Sequence, residues 1–378
     1  MIMIMILPNR HQSSFTRLAI CGLILSGATL HDWIMPQGDL AAQQPGSYIK
    51  VTVSGKRITG QLLASDSTSF ALLQTDGRMQ HLQHAEVKEM SEISGTFRPM
   101  SPSSLKDRML KLAPKGYEVT NTGNFVVVHP VGTADQWAYP FEKLLGRFNS
   151  YFSVRDFNLN RPQFPLVVVV YATRSEFLRV AQKRDVANAD NMAGFYSPTT
   201  NQVITYVQAQ GLDKEWNSNH LTLVHEALHQ FAFNSGIHNR WGVTPKWASE
   251  GLAVMFEAKG VNDSRTYTQR QHRIHQVYLA QFKNYVKAER HKGLLQQLVE
   301  SDRYFEKDPH LAYTISWSVM FYLAENQRRE LSSYLKTVAQ LPNFTQYSPA
   351  DRLQHFANHF GSDFNILEHR IVRFLEGL

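Results

Sequence analysis

Two histidines four residues apart are the side chains of this sequence best suited to chemistry. In the segment His225-Glu226-Ala227-Leu228-His229, an α-helix would place both imidazoles on one face, where they can hold one cation. Glu226 would lie close to a water bound by that cation without binding the cation itself. Zinc would lower the pKa of that water, and Glu226 would take its proton and pass it to a leaving amine. The segment therefore predicts a zinc site with Glu226 as general base.

A third metal ligand has to be a histidine or a carboxylate, because the chain contains a single cysteine, Cys21. Glu250 lies in the otherwise apolar segment 247–253, and a carboxylate buried there is costly unless it has a partner. Two histidines and one glutamate around zinc leave one position open, which is a catalytic rather than a structural arrangement. We therefore predict that His225, His229 and Glu250 hold one Zn²⁺ ion.

Two predicted helices must position these ligands. The apolar residues between 221 and 231 indicate a buried helix that Gly236 would end, and Pro245 is a natural first-turn residue for a second helix. Twenty residues separate His229 from Glu250, which leaves room for a loop and a return helix. The second helix would cross the first and bring the three ligands together.

The pattern H-E-x-x-H followed by a W-x-x-E-G-x-A helix resembles the gluzincins, the thermolysin-like and aminopeptidase-like zinc peptidases. The chain is also similar to the secreted bacterial proteins of the domain-of-unknown-function 1570 family. That resemblance runs from the hairpin near Val119 through both zinc helices to residues 313–323, roughly the last two-thirds of the chain. It implies a zincin fold in which His225, His229 and Glu250 are ligands and Glu226 is the general base.

The resemblance to thermolysin is incomplete at one position. Val254 stands where thermolysin-like enzymes carry an aspartate that would support a zinc histidine. His238, in the loop between the two helices, is one candidate partner for the site.

Zincins place the substrate antiparallel to an edge strand beside the zinc helix, and a tyrosine or histidine stabilises the oxyanion. Residues 194–196 or 203–206 are the candidate strands, with plain sheet core as the alternative for either. Tyr313 is the candidate for the oxyanion, the alternative being a packed helix tyrosine.

The rest of the sequence predicts an α+β protein. Residues 48–94 carry short alternating runs separated by turns, typical of a small five-stranded barrel or curled sheet. Residues 166–171 are a continuous apolar run, as in a buried central strand, and nearly everything beyond residue 216 has helical periodicity. We predict a zincin-like (thermolysin-type) domain at residues 101–378, with a mixed sheet and a helical C-terminal subdomain. A small all-β, barrel-like domain at residues 48–94 precedes it.

Residues 1–46 are predicted to be a signal peptide and linker. Arg10 and Arg17 flank the apolar run 18–30, which is shorter than the about twenty residues that a membrane span needs. Ser26-Gly27-Ala28 suits a signal peptidase. The expected location is secreted or periplasmic, with an uncleaved membrane anchor as the alternative and no other stable membrane span.

The formal net charge is +7, but Lys and Arg are scattered and form no run of five or six. We therefore expect no nucleic-acid partner; the expected partner is a peptide or protein substrate. Two alternatives to a zinc peptidase stay open: a non-catalytic zinc-binding scaffold of zincin fold, and a zinc amide hydrolase acting on cell-wall material. The presence of Glu226 beside all three ligands argues against the scaffold.

Overall fold

The computed structural model describes residues 45–155, 157–184, 186, 189–207 and 220–378. The expected signal peptide, with Cys21, lies outside these residues. Within them the chain forms two compact units, which divide between Pro99 and Met100. Throughout these ranges no helix combines the length and the apolar character that crossing a bilayer requires.

The first unit is a five-stranded antiparallel sheet. Its strands are β1 (Tyr48–Val53), β2 (Lys56–Ser65), β3 (Ser69–Leu73), β4 (Met79–Gln83) and β5 (Val87–Glu92), in the order β4-β3-β2-β1-β5. Alternate residues of β1 such as Ile49 and Val51 point into a small core with Phe70 and Leu72. The predicted five-stranded all-β unit is present as a sheet whose edges are β4 and β5.

The second unit contains a mixed five-stranded sheet with the order β6-β7-β8-β10-β9. The strands are β6 (Tyr117–Asn121), β7 (Phe125–Pro130), β8 (Leu166–Tyr171), β9 (Gly194–Ser197) and β10 (Gln202–Tyr206). The inner strands β7, β8 and β10 are parallel, whereas β6 and β9 pair antiparallel at the two edges. The apolar run of β8 is the central strand, as its sequence predicts. Because β10 is paired on both sides, residues 203–206 are excluded as an edge strand, and β9 is left as the candidate.

The described residues of this unit also form thirteen α-helices. Three alternate with the strands: α1 (Pro102–Leu112), α2 (Ala134–Ser153) and α3 (Arg174–Lys183). From residue 220 onward the described chain is mainly helical, as predicted, with α4 (His220–Ser235), α5 (Lys246–Glu257), α6 (Lys259–Asn262), α7 (Gln276–Lys287), α8 (Leu294–Glu300), α9 (Tyr304–Lys307), α10 (Pro309–Asn326), α11 (Arg328–Ala339), α12 (Pro349–Phe360) and α13 (Phe364–Glu376). Together with the two sheets they confirm the predicted α+β class.

The alternation of side chains along the strands divides the core of this unit into two layers. Val126 and Val128 of β7 join a core with Leu105 of α1 and Phe177 of α3. Residues of the opposite parity in β7 join a larger core with α2, α4, α5 and α10. The sheet is thus covered on both faces, and α4 is the helix that packs beside β9 and β10.

Helices α5 and α10 pack with their backbones unusually close at Gly251, the residue after Glu250. A Cβ atom added to Gly251 would lie 2.5 Å from the backbone oxygen of Ser316 in α10 and 3.1 Å from Cβ of Met320. Backbone atoms cannot yield as a flexible side chain can. A residue without a side chain is therefore required where α5 crosses α10.

We expect Gly251→Ala to lower the free energy of unfolding by about 1–3 kcal/mol, because overpacking outweighs alanine's better helix propensity. Gly146→Ala in α2 is the matched control, since no atom lies within 4 Å of its added Cβ. That control should be stabilised by about 0.5–1 kcal/mol. Chemical denaturation of both variants measures the difference. Equal stabilisation of the two would contradict the close helix crossing.

Candidate metal centre

Helix α4 carries the two histidines and ends as its sequence predicts. Gly236 follows its last residue and has a left-handed backbone with φ of 84°, a conformation glycine adopts without strain. His225 and His229 lie one turn apart on the face of α4 that packs against α5. The His225 side chain is buried at 2% exposure, whereas His229 is 12% exposed. Solvent therefore reaches the pair from the His229 side.

Helix α5 begins directly after Pro245 and brings Glu250 to the two histidines. The Nε2 atoms of His225 and His229 lie 3.1 Å apart. Oε2 of Glu250 lies 3.2 Å from Nε2 of His225 and 3.4 Å from Nε2 of His229. The three residues predicted as ligands thus converge on one point, as a group that could hold a metal ion.

The dimensions of this group fit a tetrahedral cation. Zinc with N and O ligands at about 2.0–2.1 Å holds its donor atoms about 3.3 Å from one another, which agrees with the three separations. Nδ1 of His225 is 2.8 Å from a carboxylate of Glu257, so the ring in its neutral form would donate there and direct its Nε2 lone pair at the other two donors. Lone pairs this close repel unless a proton or a metal ion lies between them. Two imidazoles with one carboxylate are a donor set that zinc prefers.

Glu257 supports the buried histidine from behind. Its Oε1 accepts from Nδ1 of His225 at 2.8 Å, and its Oε2 lies 3.1 Å from Nε2 of His275, which precedes α7. The Glu257 side chain is 2% exposed and therefore held on both oxygens without access to water. A carboxylate on the far nitrogen of a metal-binding histidine fixes the ring's tautomer and orientation. Glu257 and His275 thus occupy the supporting role for which Val254 offers no group.

The sequence does carry a signal for Glu257. A search for the aspartate that thermolysin-like enzymes have at the position of Val254 does not find it. Glu257 follows Glu250 by seven residues, which is two helical turns, so both carboxylates lie on one face of α5. Every residue of α5 from Trp247 to Glu257 except Glu250 is buried, ten residues in all. A second acid on the same face of a buried helix indicates a second partner for the histidines.

The charges of the site shift the pKa of its groups strongly. Burial lowers the pKa of His225, but the hydrogen bonds to Glu250 and Glu257 outweigh it and raise the pKa well above its usual value. Burial raises the pKa of Glu250 and of Glu257, and the neighbouring histidines reverse this and hold both pKa values below the usual range. Carboxylates beside both nitrogens of the buried imidazole thus favour positive charge between these groups, whether it is a proton on His225 or a bound metal ion.

Glu226 lies beside the donor group and is held by the sheet. Its Oε2 accepts from the backbone N–H of Tyr196 in β9 at 2.8 Å. Burial raises the pKa of Glu226, and the charge of Glu250 adds to this, whereas the charges of His225 and His229 and the Tyr196 amide oppose it. A carboxylate whose pKa is raised toward neutrality is a better general base at neutral pH. The predicted base and the candidate edge strand are therefore in direct contact.

Tyr313 of α10 lies at the site, as its proposed role requires. Its ring is 3% exposed. Burial, followed by the charges of Glu250 and Glu226, raises the pKa of its hydroxyl well above the usual value, and a hydrogen bond to Glu250 adds to the shift. The hydroxyl therefore stays protonated and can donate to an oxygen.

His238 also lies near the donors. Burial and then the charge of His229 lower its pKa to about 3, so it is neutral at neutral pH. Its Nδ1 lies 3.1 Å from the carbonyl oxygen of Ile237, and its buried Nε2 has no hydrogen-bond partner. Of the described hydrogen bonds, none joins His238 to a donor residue, whereas Glu257 bonds directly to His225.

The fold and the site together define an α+β protein with a candidate metal centre on two packed helices. Residues 219–344, about a third of the chain, match the family model described as "Protein of unknown function (DUF1570)". The matched segment contains the donor residues, Glu226, Glu257, His275 and Tyr313. The match begins after β10, so the expected resemblance between Val119 and residue 218 lies outside it. No curated protein shows significant similarity to the chain.

Proposed function

We propose that this protein is a zinc-dependent peptidase that hydrolyses peptide bonds. One observation carries the proposal: three donor atoms of His225, His229 and Glu250 lie 3.1–3.4 Å apart beside a carboxylate, Glu226, that is not one of them. A site that only binds metal has no need of a fourth acid held in place by a backbone amide. The partial exposure of His229 and Glu250, at 12% and 17%, supports access for a substrate.

The roles of the residues follow from their chemistry. Zinc held by the three donors would supply a Lewis acid that polarises a carbonyl group and acidifies water. Glu226 takes the proton of the attacking water and delivers it to the leaving nitrogen. The Tyr196 amide fixes the carboxylate of Glu226, and Glu257 fixes the ring of His225. The hydroxyl of Tyr313 stabilises the negative charge that develops on the carbonyl oxygen.

Substrate binding is assigned to the edge of the sheet. Among the residues that the structure describes, β9 pairs with β10 alone, in the order β6-β7-β8-β10-β9, so its outer edge can add an antiparallel peptide strand. Glu226 contacts this strand through Tyr196, which would bring the bound peptide close to the base. We assign the unit from residue 101 onward to a zincin-like, thermolysin-type fold on this arrangement of edge strand, zinc helix and return helix.

We further propose that the protein is exported. The support is the apolar run 18–30 with its positive flank and the small residues Ser26-Gly27-Ala28. Expression in a bacterium with sequencing of the mature N-terminus tests this. A first residue soon after Ala28 in the secreted or periplasmic fraction supports export with cleavage, and an intact N-terminus in the membrane fraction supports an anchor.

Metal analysis combined with a cleavage profile on a diverse peptide mixture tests the peptidase. We expect one zinc per chain and cleavage that a chelator removes and added zinc restores. Bound zinc with no hydrolysis of any peptide or unfolded protein would overturn the proposal in favour of a scaffold. Activity confined to peptidoglycan fragments would overturn it in favour of a cell-wall amide hydrolase.

The role of Tyr313 can be separated from mere packing by Tyr313→Phe, which removes only the hydroxyl. We expect kcat to fall about 10- to 100-fold, because one oxyanion donor is lost, with the zinc Kd changed less than about threefold. Kinetics and a zinc competition titration measure the two quantities. A tenfold or larger loss of zinc affinity would show instead that the hydroxyl serves to hold Glu250.

A further inference from the structure

One face of α4 presents a row of polar side chains to the sheet. Glu226, Gln230 and Asn234 follow one another at intervals of four residues, so they share a helix face. Glu226 accepts from the Tyr196 amide of β9. Gln230 and Asn234 both bind Asn201, the last residue of the turn that joins β9 to β10. We call Gln230, Asn234 and Asn201 the hairpin latch.

Gln230 links the start of β8 to the turn that precedes β10. Its side chain is fully buried, and Nε2 donates to the carbonyl oxygen of Val167 in β8 at 3.0 Å and to that of Asn201 at 2.9 Å. A buried amide that satisfies two backbone carbonyls is costly to displace. Gln230 thereby fixes the height of α4 relative to β8 and to the turn.

Asn234 and Asn201 form a reciprocal amide pair. Nδ2 of Asn201 donates to Oδ1 of Asn234 at 3.0 Å, and Nδ2 of Asn234 donates to Oδ1 of Asn201 at 2.7 Å. The hydroxyl of Tyr196 also donates to Oδ1 of Asn201, at 2.9 Å. Asn201 is 1% exposed and has a left-handed backbone with φ of 56°, a conformation that asparagine tolerates better than most residues.

We propose that the hairpin latch consists of positioning residues that hold β9 at the distance from α4 at which the Tyr196 amide binds Glu226. The catalytic consequence rests on the proposed peptidase function, whereas the positioning of β9 does not. Tyr196 connects the hairpin latch to the base, because its hydroxyl binds Asn201 and its backbone N–H binds Glu226. None of the latch residues is one of the three donors. Their loss should therefore move the base and the edge strand without removing zinc.

Asn201→Gly is the most direct test, because glycine keeps the left-handed backbone and removes only the side chain. In the zinc-loaded chain we expect the Tyr196 amide to exchange with solvent deuterium at least about tenfold faster. We expect kcat/KM to fall about 10- to 100-fold, mainly through kcat, because the base is displaced. The zinc Kd should change less than about threefold. Tyr196→Phe keeps the turn intact. It should also speed up amide exchange and lower kcat, each by a smaller factor than Asn201→Gly.

Thr120→Val is the matched control at the opposite edge of the same sheet. It removes a 2.8 Å hydrogen bond to His129, a side chain as fully buried as Gln230. It should leave the exchange of the Tyr196 amide and kcat unchanged. Unchanged exchange of β9 in Asn201→Gly and Tyr196→Phe would overturn the proposal. Exchange that rises equally in β8 and α4 would overturn it as well, since that is general destabilisation.

The two proposals fail in different ways. If the zinc-loaded wild-type chain cleaves nothing, the peptidase proposal fails, and the exchange of the Tyr196 amide still decides whether the latch positions β9. If the wild type cleaves peptides and Asn201→Gly keeps wild-type kcat with faster exchange at β9, the latch has no catalytic consequence and that part of the proposal is wrong.

Discussion

Glu226→Gln is expected to lower kcat at least about 10³-fold while the protein keeps one zinc per chain. Glutamine is nearly the same size and still accepts from the Tyr196 amide, which lies 2.8 Å from Oε2 of Glu226. It cannot take a proton, and general acid–base catalysis contributes about 10²–10⁴-fold. Initial rates on a peptide identified from the cleavage profile, together with metal analysis of the same preparation, measure the effect.

Glu118→Gln provides the control for this substitution. Glu118 also accepts from a backbone amide through Oε2, that of Gly132 at 3.2 Å, and lies on β6 at the opposite edge of the sheet. The same chemical change there should leave kcat and zinc content at wild-type values. A Glu226→Gln protein that keeps more than about a tenth of wild-type kcat would show that another group is the base.

Glu257→Gln is expected to raise the zinc Kd about 10- to 100-fold. The carboxylate holds His225 at 2.8 Å and His275 at 3.1 Å, and one neutral amide cannot accept well from both rings. Partners of metal-binding histidines typically contribute this much to metal affinity. Competition with a chelator of known affinity measures the Kd, and circular dichroism confirms that the variant is folded.

Glu325→Gln serves as the control for a lost buried carboxylate. Glu325 is 9% exposed and holds Arg273 at 2.8 Å, just before the segment that carries His275. Its described hydrogen bonds and ion pair go to Arg273 and not to a donor, so its loss should cost stability and leave the zinc Kd unchanged. If both variants raise the zinc Kd equally, Glu257 acts through the stability of the domain and not through the orientation of His225.

Local patterns predict much of this fold because local forces determine those parts. The apolar run of β8 has to be buried, and Gly236 ends α4 because its φ of 84° suits glycine. The order of the strands could not be predicted in this way. β9 and β10 are both short and buried, and which one lies at the edge depends on pairing with the distant β8.

The site divides along the same line. His225, His229 and Glu250 are predictable because helix geometry and the cost of a buried carboxylate restrict where they can lie. Glu257 shares a helix face with Glu250, yet its partner His275 arrives from a turn eighteen residues later. Contacts of this kind depend on how helices cross, which spacing in one helix does not reveal. The hairpin latch could not be predicted from the sequence for the same reason.

The shortness of β9 limits how a substrate could be recognised. Four residues span about 13 Å, so a peptide added at this edge would gain few backbone hydrogen bonds. One amide of the strand, that of Tyr196, already binds Glu226 and is unavailable to it. Backbone pairing would then set the direction of the peptide more than its affinity. Selectivity would have to come from the side chains flanking the cleaved bond. The cleavage profile would then show preferences at a few positions around that bond and no requirement for a long extended substrate.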